Sequence, residues 1–339
     1  MTPLRIELKT SPHLKQAGSV EQIMRNVVLA LLPICGFSVY LFGISALALM
    51  ITTTVTCVAT EQLFNKLSRR PGTVSDYSAV ITGLLLALTL PPSFPLWMAA
   101  LSGFIGIGLG KAMFGGLGFN LFNPALIGRA FAQAAFPVSV STWTVPFHPD
   151  RFTEFLPSTL AAPFTTPASV DAFTTATPLG EWKFQGIHTD TWDLLSGMVS
   201  GSAGETSAII ILLCGLYLIA RRMMNWRIPA AVLGGAFLTA AVFYAIDPEF
   251  YPTPWFVLFS GGLMLGAFFM ASDMVASPVT RSGLWIYGLL IGFLAVIIRF
   301  FGGLPEGIMY AILLGNAMSP LIERMTQPRP YGTRKRSQS

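Results

Sequence analysis

The sequence predicts an all-α integral membrane protein: ten transmembrane helices, arranged as two inverted five-helix repeats, with a long periplasmic loop between helices five and six. Three observations lead there. Of 339 residues only 11% are charged and 53% are hydrophobic, whereas a soluble domain carries roughly 25% charged residues. Apolar runs near the ~20 residues that cross hydrocarbon as a helix recur along the chain. The two halves also repeat one pattern of proline, glycine and asparagine. The same composition argues against a soluble enzyme, a disordered chain or a nucleic-acid binder.

Residues 1–25 are polar and have no apolar core with a cleavage site, so they read as a cytoplasmic N-terminal segment rather than a signal peptide. The candidate spans fall near 26–43, 44–62, 78–91, 95–114 and 121–137, then 206–221, 228–246, 254–272, 283–301 and 305–322. Two are irregular. The third, Ser78 to Pro91, is too short to cross alone unless Pro91-Pro92 continues it as irregular backbone. The fifth is interrupted by Asn123, Pro124, Gly128 and Arg129. Lipid leaves free backbone groups unsatisfied, so such spans must be covered by protein or line a cavity. The chain thus divides into the segment 1–25, a first repeat 26–137, a loop 138–205, a second repeat 206–322 and a basic cytoplasmic tail 323–339.

Orientation follows from Lys and Arg, which stay cytoplasmic. With ten spans and the N-terminus inside, the inner segments hold Arg5, Lys9, Lys15 and Arg25; Lys66, Arg69 and Arg70; Arg221, Arg222 and Arg227; Arg281; and Arg324, Arg329, Arg334, Lys335 and Arg336. Those are sixteen of the 21 basic residues. Both termini land inside, and an odd number of spans would put one basic end outside. The loop 138–205 is the opposite. Seven acidic residues (Asp150, Glu154, Asp171, Glu181, Asp190, Asp193, Glu205) face two basic ones, Arg151 and Lys183. It is far longer than an ordinary connection, and its Trp143, Trp182 and Trp192 favour a packed, functional segment.

The repeat lies across this loop. TLPPSFPLWMAALSGFIGIGLGKAMFGG followed by NLFNPALIGR matches ASPVTRSGLWIYGLLIGFLAVIIRFFGG followed by LLGNAMSPLIER. Each copy has a Leu-Trp after the proline, a Gly-Phe pair in mid-helix, a Gly-Gly, then an Asn and a Pro. Five spans per half make the copies opposite in orientation, which places functional sites at the interface near the interrupted helices.

Ionisable residues within the spans are few: Glu61, Lys111, Arg129, Asp273 and Arg299. Glu61, Lys111 and Asp273 fall at predicted cytoplasmic ends, where snorkelling accounts for them. Arg129 lies mid-span after Asn123-Pro124, beyond easy snorkelling, and together with Asn123 and Asp273 is the candidate intramembrane polar site. His13, His148 and His188 are isolated, and Cys35, Cys57 and Cys214 lack ligand spacing, so no metal site is expected. No P-loop, dinucleotide fingerprint or nucleophile–His–acid set is present. No catalytic residue is assigned.

Three segments carry a resemblance to a known family: D-x-x-T-x-A-T-P-L in the loop (Asp171 to Leu179), NPALIGRAF (Asn123 to Phe131) and FFMASDMVASP (Phe268 to Pro278). In these, in the ten-span plan and in the long outer loop, the chain resembles the D subunit of the Rnf ion-translocating electron-transport complex. More distantly it is similar to the B subunit of the sodium-translocating NADH:quinone reductase. The resemblance implies FMN joined as a phosphoester to Thr177 by a flavin transferase. Ala172 and Thr175 stand where Gly is expected in many relatives, and Thr175 offers a competing hydroxyl; the position before Pro178 favours Thr177. A threonine hydroxyl with no activating base nearby needs such an external enzyme. A second flavin, riboflavin, is implied by the quinone-reductase relative, without a residue to hold it.

The implied function is that of a redox subunit in the bacterial inner membrane, within a complex coupling electron transfer between ferredoxin and NAD to movement of Na⁺ or H⁺. Implied partners are another FMN-bearing outer-face subunit, two further membrane subunits and cytoplasmic iron–sulfur subunits. This translocase component is not expected to be active alone, since it has no cluster cysteines or nucleotide fold of its own. A component of the quinone reductase is the alternative, and a small-solute channel or carrier with inverted repeats is another.

Overall fold

The computed structural model describes residues 19–69, 76–163, 174–187, 189–205 and 207–328. Most of the N-terminal segment, Arg70, Asp171, Ala172, His188 and the tail from Arg329 lie outside these. The described chain is all-helical apart from one short two-stranded ladder, and its apolar helices are those of a membrane protein. Four are long and apolar enough to cross a bilayer: α1 (Val20–Phe42), α2 (Ile44–Leu67), α10 (Arg227–Ile246) and α13 (Arg281–Phe301). Between them lie the shorter α3 (Ser78–Thr89), α4 (Leu96–Ile107), α5 (Pro124–Ala135) and α9 (Ala208–Ala220), then the broken α11 (Pro254–Phe259) and α12 (Leu263–Leu265), and last α14 (Ile308–Thr326). The loop region contributes α6 (Pro137–Ser141), β1 (Trp143–Thr144), β2 (Thr174–Thr175), α7 (Pro178–Gln185) and α8 (Thr191–Ser196).

Local chemistry sets the helix ends. Ser19 caps α1 by accepting from the Gln22 N–H at 3.2 Å, and Thr280 caps α13 from Gly283 at 3.2 Å. Between α1 and α2 the chain turns at Gly43, with φ +71. A Cβ there would collide with the Arg151 carbonyl, which accepts the Ile44 N–H at 2.9 Å. Glycine is required both by the left-handed backbone and by this approach. The loop strand carrying Arg151 is thereby laid over the α1–α2 corner, its guanidinium 5.7 Å from the Tyr40 ring and 4.6 Å from Phe152.

The halves share a packing scheme. In the first, α2 packs on α3 and α4, and α4 on α5; in the second, α10 packs on α11 and α13, and α13 on α14. α1 and α9 meet across the halves. The core is aliphatic, with Leu31, Ile34, Leu49, Leu86, Ile291 and Val296 fully buried. Leu29, Val55, Leu213 and Val242 are exposed on the outer faces, as a lipid-facing surface requires.

The irregular spans are covered by protein. α3 stops at Thr89, and two carbonyls at its end are taken up by the loop before α9. Ala203 donates to the Leu90 carbonyl at 3.0 Å and Gly204 to Leu88 at 2.6 Å. The eighth candidate span breaks at Ser260–Gly262 between α11 and α12, and a side chain from α13 satisfies the freed carbonyls. Two π-helical turns extend α4 and α12, over Gly108–Ala112 and Gly266–Met270. Such turns break the regular ladder, often at functional sites.

Candidate functional site

Three buried polar clusters occupy the irregular stretches. The first is made by Lys111, carried inward by the π turn after α4. Its Nζ lies 2.7 Å from Glu61 Oε1 of α2 and donates to the Ser78 hydroxyl at the start of α3. The side chains are 4% and 6% exposed. Snorkelling to water is therefore the wrong account of Glu61 and Lys111. The two groups meet each other because the α2–α4 crossing brings them together, and a paired charge escapes the cost of an isolated one.

The second cluster joins the halves. Asn123 caps α5, its Oδ1 accepting from Ala125 N at 3.0 Å, while its Nδ2 donates to the Met270 carbonyl at 3.3 Å. That carbonyl belongs to the end of the second π turn. Three residues on, Asp273 Oδ2 accepts from Asn120 Nδ2 at 3.4 Å, and its Oδ1 from Val275 N at 3.0 Å. So Asn123 and Asp273 do share a site, but Arg129 is not in it. The site opens into a cleft of about 800 Å³, its open mouth included, whose lining takes in Ser78, Lys111, Asn120, Asn123 and Asp273.

Arg129 belongs to the third cluster. It sits on the second turn of α5 and is 4% exposed. Its Nη2 pairs with Glu306 Oε2 at 3.3 Å, across 177 positions of sequence. Glu205, from the loop before α9, lies within hydrogen-bond reach of the Glu306 carboxylate. Arg299 of α13, 1% exposed, adds a second guanidinium. It donates to the Val257 carbonyl at 2.6 Å and to the Ser260 carbonyl at 3.0 Å, the carbonyls freed by the α11–α12 break. Arg129, Ser202, Glu205 and Glu306 line one small cavity, with room of about 20 Å³ for the centre of a water-sized sphere.

The sequence reading missed Glu205 and Glu306 as site residues. Glu205 counted only as loop charge, and Glu306, the second residue of the candidate span 305–322, was left out of the ionisable residues within the spans. The repeat did hold a signal for Arg299: Lys111 and Arg299 stand at nearly matching distances before their Gly-Gly pairs, and both are buried.

Thr177 begins α7, close to the third cluster. The helix lies on the end of α13: Lys183 donates to the carbonyls of Arg299 at 2.7 Å, Gly302 at 2.5 Å and Leu304 at 3.1 Å. Burial pulls the Lys183 ammonium below its usual range. Trp182 packs against Phe300, the rings tilted by 55° with centroids 5.3 Å apart. Gly261 lies between, since a Cβ there would meet Leu179 at 2.6 Å and Arg299 Nη2 at 3.0 Å. Thr177 Oγ1 caps α7 by accepting the Gly180 N–H at 3.1 Å, and the residue is 3% exposed. Thr175 is half-buried in β2, paired with Trp143.

Residues 7–332 match the profile of the NQR2, RnfD, RnfE family. A protein of Clostridium ljungdahlii, described as the D subunit of a proton-translocating ferredoxin:NAD(+) oxidoreductase complex, is 42% identical over 338 residues, covering 97% of this chain and 96% of that one. The D subunit of the Na(+)-translocating ferredoxin:NAD(+) oxidoreductase complex of Acetobacterium woodii is also 42% identical, over 99% and 98% of the two chains. The D subunit of the ion-translocating oxidoreductase complex of Stutzerimonas stutzeri is 40% identical over 94% of each.

Proposed function

This chain belongs to the NQR2, RnfD, RnfE family, and on that premise we propose that it is the D subunit of a ferredoxin:NAD oxidoreductase complex that moves Na⁺ or H⁺ across the bacterial inner membrane. Near-full-length similarity to two such D subunits carries this reading. In it the two halves are inverted repeats, the termini are cytoplasmic and the loop 138–205 faces the periplasm. The partners are the other subunits of that complex.

The chain carries FMN on Thr177 as a phosphoester. Local geometry supports this residue over Thr175. Thr177 opens an eight-residue helix, and a phosphate attached there meets the positive dipole of a helix N-terminus. The ester oxygen keeps a lone pair for the Gly180 N–H. Thr175 instead sits in a ladder with no helix end beside it. When bound, the flavin supplies the electron-carrying chemistry. The residues of this chain hold its phosphate and fix its helix: Lys183 and Trp182 clamp α7 to α13, so the attachment point does not swing.

In-gel flavin fluorescence of the denatured chain tests the assignment. Thr177→Ala abolishes it while the protein still inserts, and Thr175→Ala keeps it. The opposite pattern moves the attachment two residues upstream. Absence of fluorescence from the wild-type chain, isolated from cells that make the transferase, refutes the covalent flavin altogether.

A further inference from the structure

The third cluster has a charge problem that its hydrogen bonds do not solve. Two carboxylates, Glu205 and Glu306, approach within hydrogen-bond range where they line one partly open cavity. Arg129 bonds to Glu306 alone. Arg299 spends both terminal nitrogens on backbone carbonyls and gives none to a carboxylate. Arg129 Nη1, Glu306 Oε1 and Arg299 Nε are buried without a partner. Two ionised carboxylates in contact repel strongly where water does not screen them, and a proton between them turns that repulsion into a hydrogen bond.

We propose that Glu205 is a proton-binding site, holding a proton on its carboxyl and donating it to Glu306, which Arg129 in turn holds as a carboxylate. The exchange is simple: the Glu205 O–H bond breaks as the proton passes to a Glu306 carboxylate oxygen, leaving Glu205 the carboxylate and Glu306 the acid, and the proton returns in reverse. Burial and the neighbouring Glu306 carboxylate push the Glu205 carboxyl well above the usual range, while the Ser202 hydroxyl and the Arg129 charge pull the other way. The charged groups facing it are Glu306, from the segment before α14, Arg129 of α5 and Arg299 of α13. They come from both halves, so the proton sits at the seam between the repeats. It also sits under the α7 segment: a Cβ on Gly261 would meet Leu179 of α7 and Arg299, and one on the adjoining Gly262 would lie 3.7 Å from Glu205 Oε1. The inference does not depend on a flavin at Thr177.

Infrared spectroscopy of the full-length chain in detergent, in H₂O and in D₂O, tests it. A protonated carboxyl has a C=O band that shifts on deuteration; a carboxylate has none. At neutral pH the wild type is expected to show such a band, lost in Glu205→Gln. It is lost in Glu306→Gln as well, because Glu205 then ionises against the released Arg129. Loss of a carboxylate band in place of the acid band in Glu205→Gln overturns the proposal, as does an acid band unchanged in both variants. Thermal unfolding gives a reading that needs no variant. A carboxyl whose pKa is raised on folding contributes stability present at low pH and lost as pH rises through the folded value. The wild type is expected to lose melting temperature as pH rises from the ordinary glutamate range to neutral, and a flat profile there overturns the proposal.

Discussion

Lys111 Nζ lies 2.7 Å from Glu61 Oε1, fifty positions away, with both side chains nearly inaccessible. The second half places Arg299 at the corresponding point of α13 and uses it differently, to cap a broken helix rather than to meet a carboxylate. The two copies of the repeat thus share a buried cation before the Gly-Gly pair and diverge in what neutralises it.

Removing one member of the Lys111–Glu61 pair leaves the other charge buried, at a cost of about 3–5 kcal/mol. Lys111→Met is expected to lower the melting temperature of the purified chain sharply. Lys111→Met combined with Glu61→Leu is expected to recover most of the loss. Equal destabilisation in the single and double variants would refute the pairing as the cause.

Arg129 and Glu306 hold the halves together across the seam. Arg129→Ala is expected to accumulate poorly in membranes, since Glu306 is left beside Glu205 without its cation. Arg129→Ala with Glu306→Gln is expected to restore the amount. Arg129→Lys keeps the charge but lacks the planar fork; it is expected to accumulate and to lose much of the ferredoxin:NAD oxidoreductase rate per chain in membranes. Wild-type rate and yield in Arg129→Ala would make the residue a passenger.

Lys183 is the tether of α7. Lys183→Met removes donors from three carbonyls at the end of α13 while keeping the length of the side chain. Limited proteolysis is expected to cut between α7 and α8 several-fold faster in the variant. An unchanged cleavage rate would show that Trp182 on Phe300 suffices.

Sidedness can be read by labelling, because the native Cys35, Cys57 and Cys214 are all buried. A cysteine at Phe184, which is 71% exposed on α7, is expected to react with an impermeant maleimide in intact spheroplasts. One at Leu67, 70% exposed at the end of α2, is expected to react only after lysis. The reverse would invert the topology.

Gly204 lets the loop before α9 close the end of α3. Alanine there puts its Cβ 2.7 Å from the Leu88 carbonyl, and crowding of this kind costs about 1–3 kcal/mol. Gly204→Ala is expected to lower the melting temperature. Gly118→Ser serves as a control for chain handling, at a glycine with φ +90 and nothing within 4 Å; its strain is confined to its own turn.

Much of this was legible in the chain alone. Scarcity of charge names the solvent, because hydrocarbon excludes ionised groups whatever the fold. Asn123-Pro124 marks where a helix starts and Pro91-Pro92 lies just past where one stops, since capping and a missing N–H act within a few residues. The repeated Leu-Trp, Gly-Gly and Asn-Pro pattern foretold two halves, and those halves pack alike. The Thr177 segment stood out only through its resemblance to a known family, and in the structure Thr177 caps α7.

What only the tertiary structure decided is the company each buried charge keeps. The sequence by itself determined that Glu61, Lys111, Arg129 and Arg299 are costly at membrane depth, because that cost depends on the residue and its solvent. It did not pair Lys111 with Glu61, Arg129 with Glu306, or Arg299 with the carbonyls of Val257 and Ser260. Nor did it bring Glu205 out of the loop to stand against Glu306. Those partners lie 39 to 177 positions apart. Coulombic and hydrogen-bonding partners are chosen by distance in space, and only the crossing of packed helices sets that distance.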